Sequence, residues 1–195
     1  MPVKVLNAVL NLLLFRAGPA EFPYDPRLGS VLIPLVAVIG YAIQLIVYPP
    51  IVAAAMSLAT IIGLAFATRV LLRLRGVESR FTQTYNALLS VNGVMTLGLW
   101  PALSALAPEL QRISKDPTLL EGPAASVNLP TGPAALILIL SIWNFAVNAY
   151  IFNHAANLGP WRGITVALIV ALSLQMFVLF FAALASALVG TPAAP

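Results

Sequence analysis

The sequence contains no cysteine. That removes disulfides, thiolate metal sites and cysteine nucleophiles together, and it leaves the redox compartment open. Charge is almost as scarce: ten Lys and Arg, six Asp and Glu and one His in 195 residues, 8% charged overall. Soluble domains carry about 25% charged residues, so this chain cannot cover a water-facing surface. The absence with the largest consequence lies inside the long apolar runs, whose interiors hold no Asp, Glu, Lys or Arg. Ionisable side chains at mid-bilayer are too costly to keep without a use. Their absence argues against proton relays, carboxylate-held metals and intramembrane proteolysis by paired aspartates. The lone His154 has neither Cys nor carboxylate nearby to complete a metal site. Serines occur without an accompanying base, and no Gly-rich phosphate loop is present. The expectation is a protein that is not an enzyme and needs no metal or cofactor.

What is present is apolar residues, 61% of the chain. The composition predicts an all-α, polytopic membrane bundle in which residues 1–195 form one membrane domain. Five transmembrane helices are expected, at about 31–48, 51–72, 85–106, 133–155 and 163–189, preceded by an N-terminal interfacial amphipathic helix over 2–16. In that first segment Lys4, Asn7 and Asn11 fall at i, i+3, i+7, one polar stripe on an apolar helix. It is too short to span, so it reads as lying on the membrane surface. A cleaved signal peptide is the other reading of its charge-then-apolar pattern. Pro49-Pro50 ends the first span and starts the second. Trp100-Pro101 marks the far end of the third, and residues 107–131 read as a long external loop carrying at most a short helix at 109–113.

The ten basic residues are not spread as a nucleic-acid face would need, so no nucleic-acid partner is expected. Lys4, Arg16, Arg27, Arg69, Arg73, Arg75, Arg80 and Arg162 fall on the N-terminal side of the spans, whereas Arg112 and Lys115 fall on the other. Eight against two puts the N-terminus in the cytoplasm and, with five spans, the C-terminus outside. The cluster Arg69, Arg73, Arg75 and Arg80 also suits anionic lipid headgroups or an acidic partner surface.

Two features could carry function. Ala55, Ala59, Gly63 and Ala67, echoed by Ala182, Ser186 and Gly190, form small-residue stripes that suit close packing of membrane helices, within the bundle or between copies. Five amides lie within spans: Gln44, Asn92, Asn144, Asn148 and Gln175, of which Asn144 and Asn148 share a helical face. They read either as interhelical hydrogen bonding or as the lining of a small-molecule pathway.

The surface helix, the Pro-rich segment after it, five spans and a basic second-to-third connector together resemble the YIP (Ypt-interacting protein) superfamily in a compact bacterial form. The stretches LLLFRAGPAEFPYDP and RFTQTYNALLSVNG are similar to segments of uncharacterised proteobacterial inner-membrane proteins. The long cytoplasmic region with which eukaryotic members engage small GTPases is missing, so that role does not carry over. The resemblance implies a non-enzymatic accessory or scaffold protein of the bacterial inner membrane. Its partners would be lipids, another membrane protein or further copies of itself. A small-molecule transporter or channel subunit, with its pathway lined by the amides, is the alternative.

Overall fold

The computed structural model describes residues 2–25, 27–116 and 130–190. Among them every regular element is helical. The elements are α1 (Pro2–Leu13), α2 (Leu28–Gln44), α3 (Pro50–Leu74), α4 (Phe81–Lys115), α5 (Thr131–Ala155) and α6 (Pro160–Val189), with short 3₁₀ turns at Pro19–Glu21 and Glu78–Arg80. α3 to α6 are each long and apolar enough to cross a membrane. α2, with 17 residues, rises about 25 Å against a hydrocarbon core of about 30 Å.

Three boundaries differ from the sequence expectation. The first span, placed at 31–48, is regular helix from Leu28 but only to Gln44. From there the amides of Ile46 and Val47 reach back to Ile43 and Gln44, a tightened turn that ends at Tyr48. A residue before proline is pushed out of the helical region, and both Tyr48 and Pro49 stand in that position. The third helix does not stop at 106 but continues through Pro101 and Pro108 to Lys115, which absorbs the first part of the expected 107–131 loop. At 35 residues it is about 52 Å long, more than a whole bilayer. Its end is held by Gln111 Nε2 donating to the Ile46 carbonyl at 2.8 Å. Residues 117–129 of that loop lie outside the described residues.

The N-terminal helix also ends early, at Leu13, because Phe15 takes a left-handed φ of 57°. It does not lie apart from the bundle, since Val9 and Leu12 are buried in the core shared with α4 and α5. The chain then returns along α5. The Leu13 carbonyl accepts from Trp143 Nε1 at 3.1 Å, Phe15 packs on both Trp143 and Tyr150, and Gly18 sits against His154. Gln83 fixes the end of this return by donating to the carbonyls of Ala20 and Phe22.

Helices α2 to α6 form a ring: α2 packs on α3, α3 on α6, α6 on α5, α5 on α4 and α4 on α2, with α3 and α4 touching across it. The small-residue stripe of α3 is spent inside this ring. A side chain at Gly63 would meet Leu174 at 2.6 Å and Phe177 at 3.0 Å, and Ala55 and Ala59 pack with Ala182 and Ala185. Without a hydrophobic drive between helices in lipid, such close approach is how they gain contact energy. α5 and α6 approach as closely at Gly163, where a Cβ would lie 2.7 Å from that of Asn153 and 3.3 Å from the Ala149 carbonyl oxygen.

Candidate polar chamber

The ring is filled at one end and hollow at the other. At the filled end, where α3 and α4 cross, every residue of α4 from Thr84 to Val91 is buried, and Tyr85 Oη donates to the Ile61 carbonyl at 3.1 Å. Toward the α2–α3 turn the helices separate around a cavity of about 640 Å³, to which all five helical segments of the ring contribute. Its deep end is lined by Leu64, Phe152 and Ala167, each buried. Its upper part is lined by Gln44, Tyr48, Leu99, Ser141, Gln175 and Val178.

The structure brings together all five intramembrane amides, since Gln44, Asn92, Asn144, Asn148 and Gln175 all line this one chamber. They fall into two groups. Asn92, Asn144 and Asn148 are knotted: Asn92 Nδ2 donates to Asn148 Oδ1 at 3.2 Å, and Asn144 Nδ2 to Asn92 Oδ1 at 3.2 Å. Asn148 Nδ2 donates to the Asn144 carbonyl at 2.9 Å, while Asn92 Nδ2 also returns to its own helix at Leu88. The knot ties α4 to α5 and is the interhelical glue foreseen as one reading. Such bonds are worth roughly 0.6 kcal/mol each on average in membrane proteins. Gln44 and Gln175 are different, because no hydrogen bond joins either side chain to another described residue. Gln44 is half-buried and Gln175 exposed, so both amides are open to whatever fills the chamber. Within a membrane, water or a solute there offsets the several kcal/mol that an unpartnered amide costs.

Three further polar residues line the space: Tyr48, Thr60 and Ser141. Ser141 was legible in the sequence, since it precedes Asn144 and Asn148 by three and seven residues and extends their stripe. Thr60 was masked by its setting among the small residues of α3, and its hydroxyl donates back to the Met56 carbonyl at 2.9 Å. Among the described residues that line the chamber, none is ionisable apart from the Tyr48 phenol. Among the described residues no cluster of His, Asp and Glu could hold a metal. What the arrangement can do is recognise an uncharged molecule through amide and hydroxyl hydrogen bonds against an apolar wall.

The arginines occupy the opposite end, and two of the four, Arg75 and Arg80, bond back onto α5. Arg75 Nε donates to the Ala156 carbonyl at 3.1 Å, and Arg80 Nη1 to the Ala155 carbonyl and Asn157 Oδ1, both at 3.1 Å. These are the orphan carbonyls at the end of α5, and two cations there also suit the negative end of its dipole. Arg69 pairs with Glu78 at 3.0 Å and sits 5.8 Å from the Phe81 ring. Of the four, only Arg73 has no partner among the described residues. His154 packs against Tyr150 with ring centroids 4.0 Å apart and planes tilted by 44°, and its Nδ1 lies 2.9 Å from the Tyr150 carbonyl.

Against known proteins the chain stands alone: no family, no curated protein and no solved structure matches it. Function must therefore be argued from the chamber.

Proposed function

We propose that this multi-pass membrane protein binds, and conducts across the bilayer, a small uncharged polar solute, taken up in the chamber between its helices. The observation that carries the reading is the convergence of five amides from four segments on one cavity, with Gln44 and Gln175 left unpartnered. Glue alone accounts for the Asn92–Asn144–Asn148 knot, but not for two amides that bind no other described residue. A chamber of about 640 Å³ is within the range of small-molecule sites. Its lining, without carboxylate or ammonium, selects against ions and for molecules such as short polyols and amides. The protein is non-enzymatic on this reading.

The topology we propose has five spans, α2 being completed by its turn to Tyr48. The arginine end and the N-terminus face the cytoplasm, following the eight-to-two distribution of basic residues. Arg73 and Arg162, like Lys4, Arg16 and Arg27, then have side chains free among the described residues to meet anionic headgroups. A bacterial inner membrane rests on the two stretches that resemble proteobacterial proteins, and membership of the YIP superfamily rests on the layout alone.

The test is permeability of proteoliposomes to glycerol and urea, followed by light scattering. Replacing Gln44 and Gln175 together by Leu should abolish the conductance while the protein still purifies as a folded species. Unchanged permeability in the double variant, or none in the wild type, would contradict a pathway.

One observation favours an accessory or scaffold role instead. A groove of about 330 Å³ between α3 and α6, lined by Phe66, Val70, Leu74, Val166 and Ile169, is almost wholly apolar, and Phe66 and Leu74 are exposed in it. Gentle extraction from native membranes separates the two readings, because a stoichiometric protein companion supports the scaffold and a lone protein supports the chamber.

A further inference from the structure

We propose that a second, separate site on the cytoplasmic end holds the headgroup of a phospholipid that carries both a phosphate and a primary ammonium. The site is the pocket of about 300 Å³ between α1 and the chain that returns past it, and its polar lining is Lys4, Asn7, Asn11 and Glu21. The polar stripe of α1 therefore borders the returning segment, with Lys4, Asn7, Asn11 and Glu21 all exposed along the pocket. Lys4, Asn7 and Asn11 have no side-chain partner among the described residues. Lys4 and Glu21 are not an ion pair, although they line the same pocket. Glu21 spends one oxygen on the Gly18 amide, Oε1 to N at 3.1 Å, and its other oxygen is open.

The chemistry of these groups is divided. An ammonium and two carboxamides supply donors for a phosphate, and the carboxylate supplies the acceptor for a cation. A headgroup with both charges satisfies both sides, whereas phosphate alone leaves Glu21 facing an anion. A quaternary ammonium can meet the carboxylate only as a charge, since it has no N–H to donate.

The neighbouring face of α1 shows where the acyl chains go. Val3, Leu6, Leu10 and Leu14 are all exposed, at i, i+3, i+7 and i+11, and form an apolar stripe beside the polar one. α1 also runs inward. Its last carbonyl bonds Trp143, whereas Gly18 on the returning chain meets His154, so the hairpin covers about 16 Å along α5. A lipid with its headgroup between Lys4 and Glu21 would lay its tails down this stripe and onto Leu138, Ile139 and Ile142 of α5, which are exposed beyond it. Non-helical chain at such depth needs its backbone groups satisfied, and the amides of Leu14, Phe15 and Arg16 donate to the carbonyls of Leu10, Leu12 and Asn11.

The experiment is native mass spectrometry of the full-length, delipidated protein in detergent. The probe is an equimolar mixture of phosphatidylethanolamine, phosphatidylcholine and phosphatidylglycerol with the same acyl chains. The wild type should retain the ethanolamine lipid about tenfold over both others, a difference of roughly 1.4 kcal/mol. Glu21→Gln keeps an acceptor for the Gly18 amide, so the hairpin should stay folded, and it should lose the preference over phosphatidylcholine. Lys4→Gln should weaken retention of all three lipids. Equal retention by the wild type, a preference for phosphatidylglycerol, or an ethanolamine preference that survives both pocket substitutions would each overturn the proposal.

Discussion

Helix α4 has two environments along one length. From Thr84 to Val91 no residue reaches the surface. Beyond Asn92 the same helix faces a chamber on one side, while Leu97 and Trp100 are exposed on the other. In the first half most polar groups are consumed locally: Ser90 donates to Asn86 and Tyr85 to Ile61, while Arg75 and Arg80 end α5. Asn86 Nδ2 alone on this stretch is buried without a partner among the described residues. In the second half Asn92 is tied to Asn144 and Asn148, but the chamber it faces is also lined by Gln44 and Gln175, which bond no other described residue. The packed half fixes the helices relative to one another, and the hollow half can then hold a solute without the bundle coming apart.

That comparison can be broken by substitution, measured as unfolding free energy in detergent. Leu88→Ala in the packed half removes a fully buried side chain and should cost about 3 kcal/mol, with Leu99→Ala beside the chamber costing about 1. Equal losses would mean that the two halves are packed alike. Gly163→Ala should cost about 2 kcal/mol by overpacking α5 against α6, whereas Gly132→Ala, with nothing near its Cβ, should cost nothing. Arg80→Ala, which frees carbonyls at the end of α5, should cost about 1 kcal/mol. Arg73→Ala should be neutral, and the reverse order would return the cluster to a lipid role. The smallest expected effect is Gln175→Leu, within about 0.5 kcal/mol of wild type, yet it should reduce solute permeability.

The sequence made the helical class, the arginine end and the amide inventory legible, because composition and a 3.6-residue period carry them. It hid the length of α4, since Pro101 and Pro108 read as breakers and a long helix tolerates two missing N–H donors where neighbours and solvent take up the carbonyls. It hid the role of Arg75 and Arg80, whose partners lie some eighty residues away in sequence. Asn144 and Asn148 could be seen to share a face. That Gln44 and Gln175 turn toward the same space depends on how α2 and α6 are rotated in the ring, and no local pattern specifies that.

The most direct measurement uses the missing cysteine. Single substitutions Ser141→Cys in the chamber and Val91→Cys in the packed half can be made without any competing thiol, then challenged in sealed vesicles with a small membrane-impermeant thiol reagent. The account predicts that Ser141→Cys reacts from the side of the α2–α3 turn, that added glycerol slows the reaction, and that Val91→Cys stays unmodified. If Ser141→Cys is as inert as Val91→Cys while the protein remains folded, the chamber is closed to water and the proposed function fails.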